Sequence, residues 1–477
     1  MNTHTIPWRN ANVYHREMDR KTRKLCQFRF GSLALVLLTP LAAALGLITF
    51  SARGQDQVFT GTNSGAASIR IAVADFKPLA ADAQSTSLKQ IFDRTLFADL
   101  QNAGIFDLVS KSLIPPGTPG APSEMQTPRY ASAPSNAAFV GFGSLGVVGG
   151  KLVANGFVFD TKNAQFPQVI AKQYSEDPSD DSARQVAHRF ADEIILRLGG
   201  GIAGIAETKI YYVHIGGGNK EIWQMDYDGE NQHAITHLGT ISLSPRISPD
   251  NTRLAFSSLG RNGFQIRMFS LVLNRMVTFP EVGGTNVSPA WAPDGRQLAY
   301  SSSRTGDPEI WVSDPSGADA RRLTSFRGPD VSPVFNPRSG AQVAWISGRT
   351  NLPQLYIMNA DGSSVQPLTD GGYATSPSWS PNGQAIAFAW DRKYGPGAPG
   401  GQDIYVMEVA TKKWIQLTHD SGRCDFPSWS PDGRHIVYAN SPDGRAEHTR
   451  IWTMLADGTQ RHALTSAGAD MPNWSWK

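Results

Sequence analysis

The chain has 477 residues, with 44 Lys and Arg against 41 Asp and Glu, and 40% of it is hydrophobic, which leaves room for two or three packed domains. Seven basic and two acidic residues precede residue 53, so the remainder holds 37 basic against 39 acidic residues and has no positive excess with which to bind nucleic acid. Of two cysteines, Cys26 lies in that N-terminal stretch and Cys424 stands alone beyond it, so the rest of the chain folds without an internal disulfide.

Residues 1–52 read as a secretory leader. Arg9, Arg16, Arg20, Lys21, Arg23, Lys24 and Arg29 precede an uncharged run over 30–52 that ends in small residues, with cleavage expected near Ser51 or Ala52. Met18 is an alternative start that gives a shorter basic region. An uncleaved anchor is the rival reading, because about 18 apolar residues nearly span a bilayer, although Pro40 and Gly46 interrupt the run. Residues 53–68 are rich in Gly, Ser, Thr and Asn and form a flexible arm, with Val58 and Phe59 as its apolar pair.

Residues 69–200 form a small α/β domain. A strand is expected over 69–76, and Leu88, Ile91, Phe92, Leu96 and Leu100 recur at helical spacing over 87–102, where Gly104 stops the helix. A short strand follows over 106–110, then a Pro/Ser/Gly-rich loop over 113–134, then a three-stranded meander over 138–148, 151–160 and 168–174. Asp181 or Ser182 caps a second helix whose apolar face is Val186, Phe190, Ile194, Ile195 and Leu198, and three glycines at 199–201 end it. Residues 201–208 are a linker.

Residues 209–477 carry an internal repeat. Pro245, Pro289, Pro333, Pro377, Pro427 and Pro472 recur at spacings of 44, 44, 44, 50 and 45, and the long interval holds the insertion GPGAPGG at 395–401. Two residues after each proline sits Ile247, Trp291, Phe335, Trp379, Trp429 or Trp474. Turns such as Pro293-Asp294-Gly295, alternating second and third strands, and a fourth strand ending in Leu-Thr (Leu323-Thr324, Leu368-Thr369, Leu417-Thr418, Leu464-Thr465) complete each unit. Four strands on a period in the forties make a propeller blade. The first repeat lacks its opening strand and the last, 471–476, is only an opening strand, so the C-terminal strand is expected to close a ring of six.

Few motifs carry chemistry. Gly143-Ser144-Leu145-Gly146 approaches a nucleophile elbow but lies between strands, the 199–204 glycines read as a hinge, and His233 and His237 fall on an alternating strand. The Pro-Asp-Gly aspartates read as turn formers and Cys424 as a buried filler, so no catalytic, metal or cofactor site is expected. Two repeated features read as a binding surface. Arg261, Arg304, Arg349 and Arg392 follow the second strands, and Asn286, Asp330, Thr375, Asp425 and Asp470 occupy the loops that enter the opening strands. Both loop sets emerge on one face of a propeller, where they would ring the channel mouth with charge and offer arginines for carboxylate pairing.

The leader, the α/β domain, the SPAWAPDG stretch at 288–295, SPSWSPNG at 376–383 and the IRIAVADF strand at 69–76 together resemble the TolB family of periplasmic Tol–Pal components. The resemblance implies a non-enzymatic periplasmic scaffold, monomeric and without cofactor, that supports outer-membrane integrity and constriction at division. It implies that the peptidoglycan-associated lipoprotein Pal docks at the mouth, on Thr285, Asn286, Val287, Ser288 and their equivalents. It implies too that the N-terminal arm engages TolA, and that other outer-membrane or peptidoglycan-associated proteins are partners. The compact apolar arm of the family is not evident here, and the 113–134 loop is unusual for it. The competing class is enzymatic: similar propellers precede the catalytic domain of prolyl-oligopeptidase-type peptidases, a domain not expected here, or hold a ligand or active site in the channel itself.

Overall fold

In the computed structural model, which describes residues 68–395, 401–419 and 421–476, an α/β region is followed by a six-bladed β-propeller. The leader reading and the arm pair Val58 and Phe59 lie outside the described residues.

The α/β region is one sheet. Strands β1 (Ile69–Val73), β2 (Lys77–Pro78), β3 (Phe106–Leu108), β4 (Phe139–Val148), β5 (Lys151–Asp160) and β6 (Gln168–Glu176) pair in the order β3-β1-β4-β5-β6, with β2 alongside β4. The β1 pairings are parallel and the β4–β5–β6 meander is antiparallel. Helices α1 (Ala83–Asn102) and α2 (Asp180–Leu198) cover one face, burying Phe92, Leu96 and Leu100 with Val186, Phe190 and Ile194. Helix α1 starts four residues before the expected point because the Asp82 carboxylate accepts the Ser85 N–H at 2.8 Å. The cap of α2 is Ser179, not Asp181 or Ser182. Its hydroxyl accepts the Ser182 N–H, and Asp180 and Asp181 sit in the first turn, where carboxylates favour the helix dipole.

The 113–134 stretch is not a plain loop. It contains a turn of 3-10 helix at Pro122–Glu124 and a short helix, Thr127–Ala131, and it buries Tyr130 against Ala72, Val140 and Phe142. The stretch thus supplies the layer that the second face of the sheet needs. Gly143 lies inside β4, where a Cβ would sit 2.0 Å from the Asn155 carbonyl and 2.6 Å from the Phe76 ring, so its role is close packing.

The propeller has six four-stranded antiparallel sheets. Blade 1 is Lys209–Gly216, Asn219–Asp226 and His233–Ala234, and its innermost strand is the C-terminal Ala469–Trp474. The ring closes as expected, with Ala469 opposite His214 and Trp474 opposite Ile210. The innermost strands of blades 2 to 6 are Ser242–Ile247, Asn286–Trp291, Asp330–Phe335, Tyr373–Trp379 and Arg423–Trp429. In every blade the residue before the proline (Ser244, Ser288, Ser332, Ser376, Phe426, Met471) adopts a left-handed conformation with φ of 51–55°, and the register against the second strand shifts there.

The fourth strands stop before the Leu-Thr pairs, at Arg321–Arg322, Gln366–Pro367, Trp414–Gln416 and His462–Ala463. The threonine hydroxyl then continues the ladder in the backbone's place. It accepts the third-strand N–H of Ile310, Leu355, Ile404 or Ile451 at 2.9 Å. In blades 3, 4 and 5 it also donates to Glu309, Gln354 or Asp403.

The α/β region packs on the face formed by the turns after the first and third strands. Asn102 and Gly199 carbonyls accept from His435 and Arg434 of blade 6, while Asp99 accepts from Tyr227 of blade 1 at 2.6 Å and from His188 at 2.8 Å. One hydrophobic cluster runs through both parts, from Phe92 and Phe190 to Tyr212, Val437 and Trp474.

Candidate partner-binding mouth of the channel

The opposite face, formed by the blade-to-blade connections and the turns after the second strands, makes none of these contacts. Its centre is the channel mouth, and the bulge in each inner strand decides which side chains reach it. Val287 pairs with Ser301 and Ala290 with Ala299, so residues two before and one after the proline share a face although three apart in sequence. The residues one after the proline (Arg246, Ala290, Val334, Ser378, Ser428, Asn473) line the channel at its far end. Those two before it line the mouth: Leu243, Val287 and Val331 on blades 2 to 4, and Thr375, Asp425 and Asp470 on blades 5, 6 and 1. The mouth is therefore apolar on one half and polar on the other.

This arrangement divides the five residues that the sequence groups together, and it places them on strands, not in loops. Asn286 and Asp330 lie three before their prolines and turn to the layer between blades, buried at 1% exposure each. Asn286 donates to Gln265 at 3.0 Å, and Asp330 accepts from Arg349 at 3.1 Å. Burial raises the Asp330 carboxyl against the pull of Ser347 and Arg349. Thr375, Asp425 and Asp470 come together on the polar half. Thr375 donates to Asp425 at 3.2 Å, and Asp425 accepts from Arg423 at 2.5 Å. Asp470 is held between the charges of Arg423 and Lys220, and burial pushes its carboxyl up nonetheless. Burial lowers Lys220, while Asp425 and Asp470 raise Arg423 against the same effect. Thr285 and Ser288 flank Val287 on the apolar half, half-buried, and their backbone N–H groups bond to the Ser303 and Ser257 hydroxyls.

The arginines are only in part the free fork the sequence implies. Arg304 stacks 4.2 Å from the Trp311 ring centre and donates to Ser302 and Tyr300. Arg349 stacks on Tyr356 and Phe326 and is already paired with Asp330. Arg392 lies 4.1 Å over Trp414. Among the described residues neither Arg304 nor Arg392 pairs with a carboxylate, and each presents a guanidinium held by an aromatic plate. Arg261 is exposed and, among the described residues, makes no such stack. The rim also exposes Phe326, at 52%, and Trp414, at 37%.

Cys424 is fully buried, and burial pushes its thiol up to about 11. Asp294, Asn382 and Asp432 accept backbone N–H groups two residues on, as turn formers do. Among the described residues no group of three His, Cys, Asp or Glu side chains is placed to hold a metal ion, and no helix is long and apolar enough to cross a membrane.

A family model described as the TolB beta propeller domain matches residues 197–477. The chain is 32% identical over 272 residues to a protein TolB homolog of Chlorobium luteolum, covering 56% of this chain and 60% of the relative. It is 29% identical over 297 residues to the Tol-Pal system protein TolB of Gluconobacter oxydans, covering 61% and 60%. The chain thus matches about half the length of such relatives, from 42% to 60% in the first compared. The crystal structure of TolB from Acinetobacter baumannii superposes with a TM-score of 0.72 at 23% identity, over 86% of this chain and 97% of that one, which establishes a shared fold.

Proposed function

The chain belongs to the TolB β-propeller family, and from that membership we propose that it is a non-enzymatic, periplasmic protein-binding scaffold of the Tol–Pal system. Its channel mouth would dock the peptidoglycan-associated lipoprotein Pal and so contribute to outer-membrane integrity and to constriction at division. The observation that carries the reading is the mouth itself, apolar along Leu243, Val287 and Val331 and charged along Asp425 and Asp470, on the face away from the α/β region. Such a surface suits an inserted segment with an apolar side and a polar side. Arg304 and Arg392 add fixed cations at the rim for the partner's carboxylates. Engagement of TolA by the arm at 53–68 belongs to the same proposal and rests on the family resemblance alone.

Calorimetric titration of the purified protein with the soluble domain of the same organism's Pal tests the reading. Saturable one-to-one binding is expected. Absence of heat at concentrations of about 100 μM, with both proteins folded, would overturn it, because specific transient partners bind at or below that range.

A further inference from the structure

The far end of the channel has a chemistry of its own. A cavity of about 360 Å³ opens there, walled by Trp291, Phe335, Trp379 and by prolines such as Pro337 and Pro381. Among the described residues no Asp or Glu lines it. Three carbonyl oxygens of its wall are already used: Trp291 donates to the Arg246 carbonyl at 3.0 Å, Trp379 to that of Val334 at 3.2 Å and Trp476 to that of Ile247 at 3.3 Å. Beside them stands a set of donors. Arg246 gives one N–H to the Pro245 carbonyl at 2.8 Å and, among the described residues, has no carboxylate within 4 Å. The hydroxyl oxygens of Ser378 and Ser428 accept the N–H groups of Trp429 and Trp474, which leaves each O–H proton without an acceptor among the described residues.

A guanidinium enclosed without a counter-charge is unfavourable, and an incoming anion relieves it. We propose that this cavity is a binding site for a small organic monocarboxylate. Its carboxylate is held by Arg246 and the two serine hydroxyls, and its flat apolar body rests on the tryptophan and proline wall. One cation without a second specifies a single charge. The volume lies near the lower end of ligand pockets, which run from about 300 to 1,000 Å³, so the ligand is small. The site lies at the opposite end of the channel from the docking mouth and does not depend on it.

Titration of benzoate into the purified protein, with benzamide and inorganic phosphate as comparison ligands, tests the proposal. Benzoate is expected to bind saturably at one site, and the neutral amide and the phosphate about tenfold or more weakly. Arg246→Gln should weaken benzoate by about tenfold or more, while Arg246→Lys keeps part of the affinity. Ser378→Ala, across the cavity, should weaken it a few-fold and serves if Arg246→Gln does not fold. The proposal is overturned if benzoate does not bind or if benzamide or phosphate binds as tightly. It is equally overturned if benzoate binding is unchanged in Ser378→Ala or in a folded Arg246→Gln.

Discussion

Thr324 shows why a two-residue signature recurs. Its hydroxyl takes the N–H of Ile310 and gives its own proton to the buried Glu309. Thr324→Val keeps the shape and removes both bonds, so it is expected to cost about 1–3 kcal/mol in a denaturant titration. No measurable loss would mean that water replaces the hydroxyl. The repetition of Leu-Thr is visible in the sequence. Its reason is not, because the N–H it accepts lies fourteen residues back on another strand. The mouth residues were closer to legible: counting from each proline separates Asn286 and Asp330 from Thr375, Asp425 and Asp470. The bulge that turns this count into a facing direction needed the structure.

The acid limb of stability also belongs to single residues. Burial raises the Asp226 carboxyl, but hydrogen bonds from Lys209 and Asn231 and the charge of Lys209 outweigh it and hold the group below its ordinary 3.8. A depressed folded value gives stability that is fully present above the unfolded value and is lost as pH falls through the folded one. The melting temperature is therefore expected to drop as pH falls below about 4, with a shallower drop in Asp226→Asn. An identical acid limb in the variant would show that other groups carry it.

At the scale of elements, the left-handed residue before each proline sets the channel. Ser332 has φ of 54°, a region costly to β-branched side chains. Ser332→Val is expected to destabilise by about 1–2 kcal/mol, whereas Ser332→Gly should be neutral or stabilising by thermal melting. The closing strand is a stronger test. Deleting 471–477 removes most of the inner strand of blade 1 and exposes Ile210 and Tyr212, so the melting temperature should fall by several degrees or the ring should not form. An unchanged value would contradict circular closure. Closure was readable in the sequence from the incomplete first and last repeats. The covering role of 113–134 was not, since its few anchors, Tyr130 and Met125, lie among Pro, Ser and Gly without a period.

For the whole molecule, the α/β region and the propeller share one core and a buried polar join at Asp99, His188 and Tyr227. Tyr227→Phe leaves the Asp99 carboxylate short of one donor in a buried site. It is expected to lower a single shared unfolding transition seen by calorimetry, by an amount near 1–3 kcal/mol. Two separate transitions would contradict a common core. That join occupies one face and leaves the mouth to a partner, which is the account's central claim. The direct test is to titrate the soluble domain of Pal into Val287→Asp, at the apolar half of the mouth, and into Val272→Asp, exposed on the face that carries the α/β region. The account predicts that Val287→Asp weakens binding by about tenfold or more while Val272→Asp leaves it unchanged. Equal binding by Val287→Asp and the parent protein, or a loss confined to Val272→Asp, would contradict it.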